Sequence, residues 1–305
     1  MIAIRQPGWQ PGPRALLGRL SFEPSEALPL LTVVLLLTAA PEQWYLRGPL
    51  VAAFAVGVVY RRWLAAPQFW YVVATLLGTT VYLNWESSDN HKYLFVYWCL
   101  ALCSALSLPC DQQAAALATS SRWLIGLCML LAVGWKLAMP DYRDGSFFEF
   151  TLLADERFAN FTRAMTGLSL EALADNRTLQ ALLREGHLRG LNIDSVVFSG
   201  SPSASYVAQA MTWWTVGIEG VLAVSYLLPD GRRIAIARNL LLLIFAATTY
   251  VIAPVRGFGW MLMLLGLAQC DERDRVFRPL YLAAIVLIQI YTLPVAAVLG
   301  RLAAQ

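Results

Sequence analysis

Long apolar runs recur along the whole chain, separated by short polar connections. A helix needs roughly 20 apolar residues to cross the hydrocarbon layer of a bilayer, and nine runs reach or approach that length. Their limits are 26–43, 48–65, 69–85, 92–109, 122–139, 205–228, 234–254, 256–270 and 279–299. Backbone polar groups must be paired within lipid, and the alternation of barrel strands is absent, so the runs predict helices.

Residues 140–204 form the one long segment that breaks this pattern, because they carry many charged side chains. Their leucines recur in a roughly helical rhythm that stops near Gly186 or Gly190. Leucine and phenylalanine anchors distinguish the segment from a disordered linker. We expect short amphipathic helices lying over the outer mouth of the bundle.

The predicted fold class is all-α, a polytopic integral membrane helical bundle of about nine transmembrane helices with a helical extracytoplasmic insertion. Composition supports this interpretation, since 58% of the residues are hydrophobic and only 14% are charged. The predicted parts are an N-terminal segment, 1–25, five bundle helices, 26–139, the insertion, 140–204, and the remaining bundle helices, 205–305.

The placement of basic residues predicts the orientation of the helices. Positive charge is retained in the cytoplasm when connecting loops are short. With the N-terminus inside, most arginines fall on the inner side, whereas the short outer connections hold only Arg47, Lys92 and Arg256. We therefore expect a cytoplasmic N-terminus and an extracytoplasmic insertion.

Several functions are not indicated by the sequence. The 23 basic residues face 20 acids and are dispersed over loops, so nucleic-acid binding is not expected. The five cysteines show no metal-type spacing and no placement for an extracytoplasmic disulfide. The first 25 residues show no cleavable signal peptide. With the richness in Ala, Leu and Arg, these features predict a bacterial inner membrane.

Polar chemistry is concentrated in the outer connection WESSDNHKYL, residues 85–94. His91 lies there among acids, an amide and a lysine that could hold one tautomer, although a solvated histidine is the plainer interpretation. Lys136 lies inside an apolar run, where an ammonium must pair or extend its charge to the interface. Glu219 lies mid-span, either as a functional acid or as a structural hydrogen-bond partner between helices.

Three short motifs resemble a known family. Residues 89–94, DNHKYL, resemble the Asn-Asn-His-x-Tyr-Leu element of the vitamin K-dependent gamma-glutamyl carboxylases and their relatives, the horizontally transferred transmembrane (HTTM) domain family. Lys136-Leu137, followed by DYRDG at 141–145, resembles a Lys-Leu pair and an acidic-aromatic segment of that family. Glu219 matches a glutamate in the span after the insertion. The resemblance covers roughly residues 20–300.

The resemblance implies chemistry at the outer face of the bilayer. In the family, a lysine deprotonates a reduced naphthoquinone, and oxygen converts that quinol to a strong base. The base takes a proton from a glutamate γ carbon, and carbon dioxide adds to the carbanion. By matching positions, Lys136 is the quinol base, and His91 with Asn90 stabilises or relays a proton near the carbanion. Substrate- or cofactor-binding positions are Glu86, Asp89, Tyr93, Trp135 and Glu219.

The implied cofactor is a vitamin K-type hydroquinone, with no metal, and the implied partners are membrane lipid, a lipid-soluble quinone and a carbon acid. The sequence departs from the family at Asp89, where the family has Asn, and at Trp135, where a second lysine is common. The carboxylases also carry a large extramembrane domain after the bundle, which is not seen here. The carbon acid is therefore left open between a peptide glutamate and a small molecule. A quinone-linked oxidoreductase and a member of the family that has lost catalysis also stay open.

The competing hypothesis is a non-enzymatic transporter or structural partner protein. Glu219, Arg238 and Arg256 lie at or near membrane depth and could line a polar pathway. Against transport, the chain shows no internal repeat, and its polar groups gather at one face. Enzyme and transporter both stay open on the sequence.

Overall fold

A computed structural model describes most of the chain. The described residues are 24–38, 44–85, 88, 90–188, 197–229, 231–252, 255–271 and 274–292. Residues 24–26, 90–91, 187–188, 251, 256 and 290–292 are described by their backbone alone. These residues form thirteen α-helices and three short 3-10 segments, and they include no strand. The all-α class predicted from the sequence is confirmed.

The helices alternate with short connections throughout the described chain. In the first part they are α1 Pro24–Thr38, α2 Trp44–Val59, α3 Pro67–Leu83, α4 Asn90–Leu106 and α5 Cys110–Ala138. The next four are α6 Pro140–Arg143, α7 Ser146–Ala154, α8 Ala159–Thr166 and α9 Leu170–Leu188. The last four are α10 Pro202–Leu227, α11 Arg232–Ile252, α12 Arg256–Gln269 and α13 Arg278–Thr292. The 3-10 segments are Arg61–Trp63, Glu156–Phe158 and Arg275–Phe277.

Each of the nine apolar runs corresponds to one helix, namely α1 to α5 and α10 to α13. The largest difference is at α5, which begins at Cys110 rather than at 122. Its first turns contain Asp111, Gln112 and Gln113, which are compatible with a helix but not apolar, so hydropathy marks only the later part. The predicted run 279–299 extends past Thr292 and beyond the described residues.

Two described helices are long and apolar enough to cross a membrane, Cys110–Ala138 and Arg232–Tyr250. Four others are apolar but shorter. They are Ala27–Thr38, Trp44–Val59, Lys92–Leu106 and Gly257–Gln269. A bundle of nine membrane-spanning helices therefore stays a prediction.

The short helix α12 lies in the interior of the bundle. Every residue from Gly259 to Cys270 is buried, which is typical of a helix that is apolar on all sides. It packs against α1, α4, α5, α11 and α13. The Trp260 indole donates a hydrogen bond to the Ile285 carbonyl at 2.8 Å, which joins α12 to α13 and satisfies a polar atom inside the apolar core.

The described residues of the insertion, 140–188 and 197–201, form helices and connections, and we use the name cap for the segment 140–201. Helices α7 and α8 pack on α10, α6 packs against α7, and α9 packs against α7 and α8. Their shared core consists of Phe148, Leu152, Phe158 and Ala208, with Ile252 of α11 against it. The amphipathic helices expected here are thus present, and α9 continues through Gly186 to Leu188.

One buried amide fixes the end of the cap. The Asn176 side chain donates to the carbonyls of Leu153 and Ser199, at 3.2 and 2.9 Å, and accepts from the Ser199 N–H at 2.8 Å. Only 2% of the residue is exposed. Asn176 also begins an Asn-x-Thr triplet, but in the folded chain it is a structural link between α9 and the connection that leads into α10.

Candidate functional site

The centre of the candidate site is an ion pair between Lys136 and Glu219. Lys136 Nζ lies 2.9 Å from Glu219 Oε1 and 2.6 Å from Oε2, so the ammonium donates to both carboxylate oxygens. The two side chains are only 13% and 11% exposed. A charged pair so far removed from water is rare outside functional or fold-specifying sites.

The pair forms because α5 and α10 run antiparallel in close contact. Lys136 lies in the last turn of α5, and Glu219 lies two-thirds of the way along α10. Elsewhere in the interface between α5 and α10, a Cβ on Gly126 would lie 2.7 Å from Leu227 Cδ2. Glycine at this position therefore allows the helices to approach closely, which holds the two charged side chains in register.

The ring of Tyr142 covers one side of the pair. Lys136 Nζ lies 5.9 Å from the centroid of that ring, a cation–π distance. The ring stacks on Phe147, with centroids 4.1 Å apart and an interplanar angle of 26°. Burial raises the pKa of the Tyr142 hydroxyl, and the negative charge of Glu219 adds to the effect. Tyr142 is therefore a neutral phenol beside the pair at physiological pH.

A tight turn at 144–146 leads from α6 into the cap. Gly145 has φ of 85°, a left-handed conformation that favours glycine. A Cβ there would also meet Gln209 Oε1 at 2.8 Å. The Asp144 carboxylate accepts from the Ser146 N–H at 2.9 Å, and this bond lowers the pKa of Asp144. Part of the DYRDG segment thus forms a defined turn between the site and the cap.

The other predicted site residues are placed differently. Trp135 and Tyr93 are 59% and 38% exposed, so both side chains lie largely at the surface of the chain. Asn90 and His91 form the first turn of α4, which packs against α5, but their side chains lie outside the described part. Glu86 and Asp89 lie wholly outside it. The roles assigned to these six residues stay predictions.

A second polar cluster lies at the opposite end of the bundle. Asn239 Oδ1 accepts hydrogen bonds from Tyr281 Oη, at 2.7 Å, and from Gln269 Nε2. Arg238, only 1% exposed, lies beside it with its guanidinium 6.0 Å from the Tyr226 ring centroid. This cluster joins α10, α11, α12 and α13 through polar side chains within the apolar core.

Sequence patterns did not single out Asn239, Gln269 or Tyr281, and they marked Tyr142 only as part of the DYRDG segment. An amide within an apolar run, such as Asn239 in RNLLLLIF, is the signal that could have identified the second cluster. The pairing of Lys136 with Glu219 was also not predicted, although each residue was singled out separately. Among the described residues, no group of three or more His, Cys, Asp or Glu side chains could hold a metal ion.

A comparison of the chain with protein-family models, curated proteins and solved structures finds no match. The function is therefore inferred from the site geometry and from the short motifs themselves.

Proposed function

We propose that the chain is an integral membrane enzyme in which the Lys136–Glu219 pair deprotonates a lipid-soluble quinol at the extracytoplasmic face. The proposed cofactor is a reduced naphthoquinone, and the proposed location is a bacterial inner membrane with the N-terminus in the cytoplasm. The observation that carries the proposal is the Lys136–Glu219 pair, nearly removed from water at the junction of bundle and cap.

Surface chemistry supports insertion of the whole bundle in lipid. Large apolar side chains are exposed on the bundle helices, including Val51 and Val58 on α2 and Leu130 and Leu131 on α5. Soluble monomers rarely expose apolar surface in large continuous patches. A lipid environment would cover these side chains without a protein partner.

Exposed aromatic residues support the same placement. Trp44 and Tyr45 lie at the start of α2, and Tyr60 and Trp63 lie just past its end, all with large exposed fractions. Sixteen residues of helix separate Trp44 from Tyr60, a rise of about 24 Å, comparable to the thickness of the hydrocarbon layer. Tryptophan and tyrosine are enriched at both interfaces of a bilayer.

The chemistry follows from the proton count of the pair. Ammonium and carboxylate together hold one acidic proton, which can lie on either group across the hydrogen bonds that join them. A quinol hydroxyl can give its proton either to the Lys136 amine or to the Glu219 carboxylate. Both routes end with an ammonium, a carboxylic acid and a quinolate anion, so the pair acts as one base.

The quinolate formed at the pair would be stabilised by the adjacent Lys136 ammonium. Bound quinol would supply the oxygen chemistry, because dioxygen would add to the quinolate and turnover would consume oxygen. In the carboxylase-like reaction, the oxygenated quinol would be the base that takes a proton from a carbon acid and would leave as the quinone epoxide and water, and the carbanion would add carbon dioxide. The three family-like motifs support this carboxylation step. In it, His91 and Asn90 would act near the carbanion. The residues that would contact substrate or cofactor are Glu86, Asp89, Tyr93 and Trp135.

Oxygen uptake by the purified chain in nanodiscs with reduced naphthoquinone tests the proposal. We expect uptake by the wild type and a loss of at least a hundredfold in Lys136→Met and Glu219→Gln, the scale of a lost general base. Glu171→Gln, an exposed cap position, is the matched control. Uptake that does not depend on Lys136 and Glu219, or no uptake with any quinol, would overturn the proposal.

Transport or a structural partner role is the second candidate, and one observation favours it. The chain carries polar clusters at both ends of the bundle, one at Lys136–Glu219 and one at Asn239–Tyr281. Two such polar clusters within a bundle are typical of a pathway for a polar solute. Solute flux into proteoliposomes that requires both clusters, without quinol-dependent oxygen uptake, would favour transport.

A further inference from the structure

Tyr250 has a buried hydroxyl with no hydrogen-bond partner among the described residues. The residue lies in the last turn of α11 and is 5% exposed. Removing a hydroxyl from water without a partner is unfavourable, and buried hydroxyls in folded proteins are nearly always bonded. The Tyr250 hydroxyl is therefore open to a hydrogen-bond partner beyond the described residues.

The ring that carries this hydroxyl is held in place. A Cβ on Gly259 of α12 would lie 2.8 Å from Cε1 and Cζ of Tyr250, so the ring rests directly on the α12 backbone. Phe245 contacts it edge-on, with centroids 6.5 Å apart and an interplanar angle of 90°. The close contact with α12 restricts the ring, so its hydroxyl is fixed in position.

The hydroxyl also lies close to the proposed site. Helix α11, which carries Tyr250, packs against α10, which carries Glu219. Two residues further along α11, Ile252 packs against the core of the cap. Tyr250 and the Lys136–Glu219 pair therefore occupy the same region under the cap.

Ser121 also has a buried hydroxyl without a partner in the described part of the chain, and the buried Tyr226 hydroxyl lies beside Tyr281 of the opposite cluster. Ser121 lies fifteen residues before Lys136 on α5, about 22 Å along the helix axis. Tyr226 lies seven residues after Glu219 on α10, about 10 Å along the axis, and beside Arg238 of the opposite cluster. Of the three, Tyr250 is the one that lies next to the core of the cap, two residues before Ile252.

We propose that the Tyr250 hydroxyl hydrogen-bonds one oxygen of the quinol while the other oxygen faces the Lys136–Glu219 pair. This inference rests on the proposed function and adds a residue that positions the ring. A phenol donates to a carbonyl and accepts from a hydroxyl, so Tyr250 binds both the reduced and the oxidised ring. The apolar side chains around it suit a ring that arrives from lipid.

The test compares Tyr250→Phe with the wild type, using the full chain in nanodiscs under anaerobic conditions. The probe is a reduced 1,4-naphthoquinone with a short prenyl tail, and its binding is measured by quenching of tryptophan fluorescence. We expect the Kd to rise about tenfold, the scale of one lost hydrogen bond in an apolar site. The Tm without ligand should not fall, because the substitution removes an unpaired hydroxyl.

Tyr281→Phe is the matched control, because the Tyr281 hydroxyl donates to Asn239 at 2.7 Å in the opposite cluster. It should lower the ligand-free Tm and leave the Kd unchanged. Equal binding by wild type and Tyr250→Phe would overturn this inference and leave the proposed function standing. A ligand-free Tm lowered as much as in Tyr281→Phe would show a structural partner and also overturn it. Absence of binding by the wild type would overturn both proposals.

Discussion

Lys136 and Glu219 are 83 positions apart in the sequence, yet Nζ of one lies 2.6 Å from Oε2 of the other. The cap, residues 140–201, lies between them in the chain. The pair thus joins the helix that enters the cap, α5, to the helix that leaves it, α10. The pair places two ionisable groups at the base of the cap, within the contact between α5 and α10.

The first prediction concerns the stability of this pair. Lys136→Met or Glu219→Gln alone leaves a nearly buried polar or charged group without its partner, and we expect each to lower the free energy of unfolding by about 2–4 kcal/mol. The double variant should lose at most half of the sum of the two single losses in free energy of unfolding, because it leaves neither partner unmatched. Thermal unfolding in detergent would measure the three values. Additive losses in the double variant would show that the pair is not coupled.

The second prediction concerns the approach of α5 and α10. Gly126→Ala places a Cβ 2.7 Å from Leu227 Cδ2, and such overpacking costs about 1–3 kcal/mol. Gly134→Ala on the same helix meets nothing within 4 Å and should stabilise by up to about 1 kcal/mol through helix propensity. Melting curves of the two variants should therefore shift in opposite directions. Shifts of the same sign would contradict the close helix contact.

The third prediction concerns the opposite cluster. Asn239→Leu removes the acceptor of the Tyr281 hydroxyl and of the Gln269 amide. Leaving buried donors without an acceptor costs about 1–3 kcal/mol for each group. The double variant with Tyr281→Phe should regain part of that stability, as measured by Tm. An unchanged Tm in Asn239→Leu would show that these bonds contribute little.

The fourth prediction concerns the cap. Asn176→Ala removes three hydrogen bonds that join α9 to the connection at Ser199. Limited proteolysis should therefore cut the cap several times faster, because local opening follows the loss of buried hydrogen bonds. Asn160→Ala, at an exposed position in α8, serves as the control. Equal cleavage rates in the two variants would argue against the buried link.

The fifth prediction is a pH dependence at the turn before the cap. The hydrogen bond from the Ser146 N–H lowers the pKa of Asp144 in the folded chain. A carboxyl with a lowered folded pKa stabilises the fold above its unfolded pKa and loses that contribution as pH falls through the folded pKa.

The wild type should therefore melt above Asp144→Asn at pH 7. The difference should shrink as the pH falls below about 4, the ordinary value for aspartate. Thermal unfolding across pH 2 to 7 in a detergent that tolerates acid would measure it. A Tm difference that is constant across this range would contradict the assigned cause.

The helices were predictable from the sequence because hydrophobic run length depends on local composition. All nine runs correspond to helices, and the boundary at α5 failed only where polar residues such as Asp111 and Gln112 extend the helix. Run length could not predict that α12 would be buried on every side, because an apolar helix is compatible with either lipid or a protein interior.

The individual residues of the site were predictable from the sequence, but their contact with one another was not. Lys136 and Glu219 were identified because ionisable side chains are costly in apolar segments. Their contact depends on the antiparallel packing of α5 and α10 and on the small Gly126, which are tertiary features. Tyr250 had no local signal, because a tyrosine near the end of an apolar helix is common and only its unpaired hydroxyl sets it apart.

The absorbance spectrum of bound quinol tests the central claim most directly, because a naphthoquinolate anion absorbs differently from the neutral quinol. The measurement uses purified protein in nanodiscs without oxygen at neutral pH, with wild type, Lys136→Met and Glu219→Gln compared. The account predicts a quinolate spectrum for quinol bound to the wild type and a neutral spectrum for quinol bound to either variant. Bound quinol that stays neutral in the wild type, or is equally ionised in all three proteins, would contradict it.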